Sequence, residues 1–438
     1  MSNSQLPSVL ALSSGHNVSR MVGVQRNYHN ISRPQRQGAS STFASGDNIH
    51  FRFQSTTGVL NFAASFLEFK INYSEPLSSL LQASDAFDDV ELSIASVRVI
   101  ECHGQPGDHV LAKNIAYANE LPADSLKDGH SGFIDLDAIH STRVDATAVV
   151  PKPGSRVYCI RLSELHQAFG SSFLWPTMSF QCDLTLRVAP NSAMALRTDE
   201  ADSFTVSDVY LHVNEIQTDA SYLQELMAMV NSSAGYHISY PDFLCTRFPS
   251  VSSQQQYLEV PITAKNNITL MLLRRDVWKS AEEGKWYLTT LGSNVGAELD
   301  RLRISSGQLR FTSELDETNP ARLYTMLESV NGKLLLMSGN EADKTLITYP
   351  RYAGTDTRIA PALSPVMVNL EKILQPDFMV DAVYENGGVS VNTPGIGTTM
   401  RIEMTLLNPP TPADTQWVVA MVHQRVISFS NGGVSLDF

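Results

Sequence analysis

The sequence predicts an all-β chain made of two β domains of similar size, and three observations predict it. Apolar residues recur at every second position in many short runs, the period of a half-buried strand. Turn and loop composition separates the runs, and helical stretches are few. Near the midpoint, Ser207–Tyr240 reads as strand, short helix, glycine-containing stop and new strand.

In the first half, Ile49, Phe51 and Phe53 alternate, and Ser55-Thr56-Thr57-Gly58 turns the chain. Leu60, Phe62, Phe66, Leu67, Phe69 and Ile71 follow. Val90–Ile100 is another apolar run, punctuated by Gly104-Gln105-Pro106-Gly107, and Leu121–Thr147 reads as a long loop. Val157–Ile160 forms a strand, Ser163–Phe169 one helical turn, and Phe180–Val188 an alternating strand ending at Pro190.

At the midpoint, Val209, Leu211 and Val213 alternate with Tyr210, His212 and Asn214. Thr218 or Asp219 caps a helix whose stripe is Tyr222, Leu223, Leu226, Met227 and Val230. Asn231–Gly235 stops it, and Tyr236, Ile238 and Tyr240 resume alternation.

The second half opens with Tyr257, Leu258, Val260 and Ile262, a turn at Lys265-Asn266-Asn267, and the strand Ile268–Leu273. Leu302–Phe311 is a strand pair or bent strand around Ser306-Gly307, and Pro320–Val330 reads helical. Met400–Leu406 alternates up to Pro409-Pro410, Trp417–Phe429 is the last long strand, and Asn431-Gly432 is a hairpin signal. The halves rhyme: each closes with an alternating strand holding x-Thr-Leu (Leu184-Thr185-Leu186, Met404-Thr405-Leu406), a proline stop and a final strand. Asn-Gly-Gly-Val-Ser occurs at Asn386–Ser390 and Asn431–Ser435, both in the second half, and reads as two hairpin turns.

At 438 residues the chain has room for two domains of about 200 residues each. An apolar fraction of 43% fits a globular chain. No apolar run is long enough for a membrane-spanning helix, and Met1–Arg20 lacks the charged-then-apolar pattern of a signal peptide. The sequons at Asn17, Asn30, Asn72, Asn231 and Asn267 are therefore read as chance. The four cysteines (Cys102, Cys159, Cys182, Cys245) include no CxxC, so free thiols in a reducing compartment are expected. A net charge of -13 disfavours nucleic-acid binding over the whole surface. Residues 1–46 stand apart, with Arg20, Arg26, Arg33 and Arg36 and no acid. They read as a flexible tail, or as an arm ordered on a neighbouring subunit.

The sequence carries no catalytic signature. None of the eleven histidines lies in HExxH or HxH, there is no GxSxG, and no phosphate-binding loop is present. Glu101, His103 and His109 read as a loop with exposed histidines rather than a metal site, and Gly395-Ile396-Gly397 as a turn. The adjacent acids Asp88-Asp89 and Glu282-Glu283 do not have the separation that paired acid–base work requires. Arg274-Arg275 read as a solvated strand end, and Trp175, Trp278, Trp286 and Trp417 as core or interface anchors. No catalytic, cofactor-binding or metal-binding residue is expected.

Several segments resemble the double jelly-roll major capsid proteins of icosahedral viruses, in the branch of eukaryotic DNA viruses and virus-like transposons. They are Ile49–Phe53 through Gly58, Asn61–Phe69, Val90–Val99 with Ala116-Tyr117-Ala118, and the joint Asp208–Tyr240. In the second half they are Gln255–Ile262, Asn267–Thr269, Leu302–Ile304, Ala321–Leu327 and Val422–Ile427. The resemblance covers residues 48–438. It implies two consecutive eight-stranded jelly-roll barrels with a few short helices: an arm at 1–47, a first barrel at 48–217, a linking helix at 218–235 and a second barrel at 236–438. It also implies a structural subunit of the virion that is not an enzyme and has no cofactor. Homotrimeric pseudo-hexagonal capsomers would pack against neighbouring capsomers, penton and minor capsid proteins. Loops at Leu121–Thr147 and Ser338–Leu363 would form towers or contacts, and the arm would face the genome or an inner membrane. The alternatives are a carbohydrate-binding spike or fibre protein and a single-jelly-roll capsid protein with a protruding domain.

Overall fold

The computed structural model describes residues 24–35, 42–55, 59–75, 83–103, 155–170, 174–177, 180–194, 196–197, 201–218, 220–262, 267–279, 287–291, 299–311, 366–370, 395–410 and 415–437, with the single residues 78, 80 and 323. Pro320–Val330 (Leu323 excepted), Leu121–Thr147, Ser338–Leu363 and Asn386–Ser390 lie outside the described residues.

The first half supplies β1 (Val24–Ser32), β2 (Thr42–Phe43), β3 (Asn48–Gln54), β4 (Phe66–Tyr73), β5 (Phe87–Ile94), β6 (Val97–His103), β7 (Ser155–Arg161), β8 (Gln181–Val188), β9 (Leu196–Arg197) and β10 (Phe204–Thr218). Helix α1 (Ala220–Asn231) follows. The second half supplies β11 (Tyr236–Pro249), β12 (Gln255–Pro261), β13 (Asn267–Lys279), β14 (Tyr287–Leu291), β15 (Leu299–Ser306), β16 (Leu309–Arg310), β17 (Val366–Asn369), β18 (Thr399–Leu406), β19 (Thr415–Ser430) and β20 (Gly433–Asp437).

The rhyme of the halves becomes a repeated topology. In the first half the sheets run β1-β10-β4-β7 and β3-β8-β5-β6; in the second, β11-β19-β13-β17 and β12-β18-β15-β16. The strands correspond eight for eight in chain order, every one of these pairings antiparallel. Each half is an eight-stranded barrel of two facing sheets. Four short strands are additions: β2 and β20 pair with β10 and β19, β14 pairs with β13, and β9 reaches across from the first half to pair with β14.

Alternation builds the cores. Ile49 and Phe51 point inward from β3, as do Leu67, Phe69 and Ile71 from β4, and Cys182, Leu184, Leu186 and Val188 from β8. Leu258 and Val260, Leu302 and Ile304, and Met400, Ile402, Met404 and Leu406 do the same in the second core. Leu302–Phe311 is the strand pair β15–β16, and Asn431-Gly432 is the hairpin turn expected, with φ of 50° and 69°.

Four expectations change. The run Val90–Ile100 is a hairpin, β5–β6, turning at Ala95-Ser96 with φ of 52° and 65°. Ala-Ser gives no turn signal, because that conformation normally selects Asn or Gly. The single helical turn at Ser163–Phe169 is two 3₁₀ turns, Leu162–Glu164 and Gln167–Gly170. Within the supposed tail, residues 24–32 are β1, paired over most of their length with β10. Their polar sequence hides this because an edge strand draws its stability from ladder hydrogen bonds as well as from burial. β10 therefore lies inside its sheet, with β1 beyond it. On α1, Leu226 and Val230 are buried and Tyr222 and Leu223 pack on the first core, but Met227 faces outward.

Candidate functional site

The joint between the barrels is built from one long ribbon. β11 and β19 pair without a break from Tyr236↔Phe429 to Pro249↔Gln416. Fourteen residues of β11 extend about 45 Å at about 3.3 Å per residue. The ribbon serves both cores. Tyr236, Ile238, Tyr240, Ile427 and Phe429 pack into the first, while Phe243, Trp417, Val418, Val419, Ala420 and Met421 pack into the second. The boundary between the barrels therefore falls within these strands.

At the first-barrel end, Trp175 is wholly buried with its ring 4.9 Å from Phe62 and 6.4 Å from Phe429, both edge-on. Tyr236 donates its hydroxyl to Leu174 O at 2.9 Å. Edge-on ring pairs of this kind add about 0.5–1.5 kcal/mol each beyond area burial. Beside them α1 sets Leu226 and Val230 into the same core, and Gly235 (φ 71°) turns the chain from the helix into β11. A Cβ there would meet Phe429 O at 2.9 Å, so the turn requires glycine.

Midway along the ribbon the apolar contacts stop. Asp242 pairs in register with His423, and Tyr240 with Arg425. Arg425 Nη1 donates to Asp242 Oδ2 at 3.0 Å, and the Phe243 N–H donates to Asp242 Oδ1 at 3.0 Å. His423 Nε2 lies 3.4 Å from the carboxylate, and His166 Nε2, from the first barrel, lies 3.2 Å from it. All four side chains are more than nine-tenths buried. The Ala168 N–H donates to His166 Nδ1 at 3.2 Å, which leaves the proton of a neutral ring on Nε2, the atom nearest Asp242. Burial, then the Asp242 charge, pushes the nearby Tyr240 hydroxyl well above its usual range, with Arg425 opposing. One carboxylate thus joins a guanidinium and an imidazole of the ribbon to an imidazole of the first barrel. No signature motif marks this cluster. Its only sequence signal is charge at inward-facing positions of β11 and β19.

The outer faces of the β3-β8-β5-β6 and β12-β18-β15-β16 sheets carry grids of ion pairs. On the first, Arg52 meets Asp183 at 2.7 Å, Arg98 meets Glu91 and Glu101 at 2.9 and 2.7 Å, and Arg187 meets Asp88 and Asp89 at 2.8 Å each. On the second, Arg401 meets Glu259 at 3.3 Å, Arg303 meets Glu403 at 3.6 Å, and Tyr257 donates to Glu259 at 2.8 Å. An open trough of about 640 Å³ runs over the second face, past Gln255, Tyr257, Arg301, Arg303, Glu403 and Thr405.

The residues weighed for chemistry fall into structural roles where they are described. Asp88 and Asp89 both hold Arg187. Gly395–Gly397 is a turn packed on Gly307: Gln308 N donates to Gly395 O at 2.8 Å and Gly397 N to Ser306 Oγ at 3.1 Å. Arg274 lies within β13 rather than at its end and is half-buried; its guanidinium is 6.0 Å from the Trp417 ring centre, a cation–π contact. Trp417 donates Nε1 to Gln256 Oε1 at 3.3 Å inside the second core, so the anchor reading holds for Trp175 and Trp417. His109, Glu282-Glu283 and Trp286 lie outside the described residues, as do the side chains of His103, Arg275 and Trp278. Among the described residues no group of three or more His, Cys, Asp or Glu side chains has the geometry to hold a metal ion. All four cysteines are thiols outside any disulfide, Cys102 and Cys182 buried and Cys159 exposed. Burial, then Asp183, pushes the Cys182 thiol up to about 12.

No protein-family model and no curated protein matches the chain. Solved structures do. The chain is similar to the Sputnik virophage structure solved by cryo-EM, with a TM-score of 0.55 and 10% identity, covering 95% of this chain and 89% of that one. It is similar to a chain of the PBCV-1 virus capsid, with a TM-score of 0.51 and 12% identity, covering 95% of this chain and 98% of that one. With eight strands repeated in order and a likeness that runs nearly the whole length of both relatives, the chain has the double jelly-roll fold.

Proposed function

We propose that the protein is a major capsid protein: a homotrimer whose six barrels form a pseudo-hexagonal capsomer, with many capsomers tiling an icosahedral shell. The observation that carries this reading is the eight-for-eight repeat of strand order on one shared ribbon. Two equivalent barrels held rigidly side by side let three chains approximate six-fold symmetry, which is the shape needed to tile a surface. The end-to-end likeness to a chain of the PBCV-1 virus capsid supports it. The repeat also speaks against a single jelly roll with a protruding domain, since both halves have the same sheet orders.

On this reading residues 48–217, completed by β1, and 236–438 are the barrels and 218–235 the link. The chain is a non-enzymatic part of the virion, packed against neighbouring capsomers and against penton and minor capsid proteins. The N-terminal arm ahead of β1, in a segment with no acid through residue 46, faces the genome or an inner membrane. Sedimentation and negative-stain microscopy of the purified chain test it. Trimers of pseudo-hexagonal outline, or shells, are expected; a monomer at every concentration, with no particles, overturns it.

A further inference from the structure

We propose that the two equivalent outer sheet faces are the two sides of one contact between capsomers, with the acidic face of a first barrel docking on the arginine-bearing face of a second barrel from another copy. This rests on the shell-building reading above.

Register identifies equivalent positions. Thr185 lies between His50 and Glu91 in the β3-β8-β5 row; Thr405 lies between Gln255 and Arg301 in the β12-β18-β15 row. Around these rows the sequences align as Glu91-Leu92-Ser93-Ile94-Ala95-Ser96 and Arg301-Leu302-Arg303-Ile304-Ser305-Ser306. The inward residues are the same: Leu92 and Leu302, Ile94 and Ile304, all buried. The outward residues differ in charge, with Glu91 facing out where Arg301 does, Ser93 where Arg303 does, and Gln181 where Arg401 does.

The difference extends over the faces. Among the described residues the first carries Arg52, Arg98 and Arg187 against Asp88, Asp89, Glu91, Glu101 and Asp183. The second carries Arg301, Arg303, Arg310 and Arg401 against Glu259, Asp300 and Glu403. Two copies of one face would repel, whereas one of each attracts and fixes register. The second face adds exposed Tyr257 and Leu407, each 53% exposed, beside its arginines; Tyr and Arg are the residues that anchor contacts. Such a contact is heterologous, so it propagates from copy to copy. Within the chain the barrels are joined by the apolar ribbon instead. A polar, ion-paired face suits the reversible association of preformed blocks, and obligate interfaces are more apolar.

Arg301→Glu with Arg303→Ser tests the contact, because it installs on the second face the residues that the same positions of the first barrel already hold. Sedimentation reads the trimer, and light scattering with microscopy reads shells. The expected result is an intact trimer whose threshold concentration for shells rises at least about tenfold, with wild-type assembly weakening as salt screens the faces above about 0.1 M. Adding Glu91→Arg with Ser93→Arg reverses both faces and should restore assembly. Unchanged shells from the first variant, or no recovery in the second, overturn the contact and leave the capsomer intact. A wild type that stays monomeric removes both readings. If the wild type binds a heparin column and the first variant does not, while shells form equally, the arginines belong to an acidic ligand and the contact is wrong.

Discussion

Replacing Asp242 by Ala removes the one carboxylate that Arg425, His423 and His166 share at the barrel joint. The guanidinium, only 7% exposed at its side chain, then loses its Asp242 counter-charge at 3.0 Å. Breaking a buried ion pair by deleting one partner costs about 3–5 kcal/mol, most of it the desolvation of the charge left behind. Even about 3 kcal/mol is more than two decades in the unfolding equilibrium. Guanidinium unfolding followed by circular dichroism measures the loss. Fluorescence locates it, since Trp175 reports the first core and Trp417 the second; Phe at positions 278 and 286 removes the other two tryptophans. Removing both charges together, Asp242→Leu with Arg425→Met, strands no charge, leaving only the His166 and His423 imidazoles without that acceptor, and should recover stability to within about 1 kcal/mol of wild type or above it. A single variant costing less than about 1 kcal/mol, or a double variant as damaged as the single, would refute the argument that these charges stabilise only as a set.

Three further outcomes follow from the packing. Leu226→Ala on α1 should cost about 2–5 kcal/mol and Met227→Ala no more than about 0.5, because the first is wholly buried and the second 38% exposed; thermal melts of the pair decide it. Gly307→Ala should destabilise by more than about 2 kcal/mol in denaturant titrations, since φ is 56° and a Cβ would meet Gly395 O at 2.5 Å, backbone against backbone. A thiol reagent should label Cys159 in the native state and spare Cys182. Because burial raises the Cys182 thiol from about 9 to about 12, its contribution is complete below pH 9 and is lost as pH rises through about 12; Cys182→Ala should reduce the alkaline slope of stability by one proton's worth.

The barrels were legible because their strands alternate. Where Leu184, Leu186 and Val188 face one way and Thr185 and Arg187 the other, period-2 reading needs nothing else. Reading failed where something other than burial pattern decides the structure. Ala95-Ser96 turns a hairpin with positive φ that neither residue favours, so tertiary pairing of β5 with β8 overrides local preference. The polar β1 takes its place through pairing with β10. The joint was visible as a helix between two strands, but its charges were not: Asp242 and Arg425 are 183 residues apart, and only the register of β11 on β19 brings them together.

That placement separates two roles in the joint. The inward face of the ribbon is apolar at both ends, with Tyr236, Ile238, Ile427 and Phe429 at one and Trp417 and Val419 at the other. Apolar contacts favour burial but tolerate sliding, because one buried side chain replaces another at little cost. Charges do not tolerate it: a shift by one pleat keeps the same face inward yet parts Asp242 from His166, stranding buried charge. The apolar ends therefore hold the barrels together, and the charged centre is expected to select the angle between them, the register role best attested for buried ion pairs. If the chain builds a shell as proposed, that angle is amplified, since each small error is repeated by every capsomer. The Asp242→Leu with Arg425→Met variant distinguishes the roles. It should fold as stably as wild type and still form trimers, while its shells scatter in diameter under negative stain. Shells as uniform as wild type would show that the apolar ends set the angle on their own.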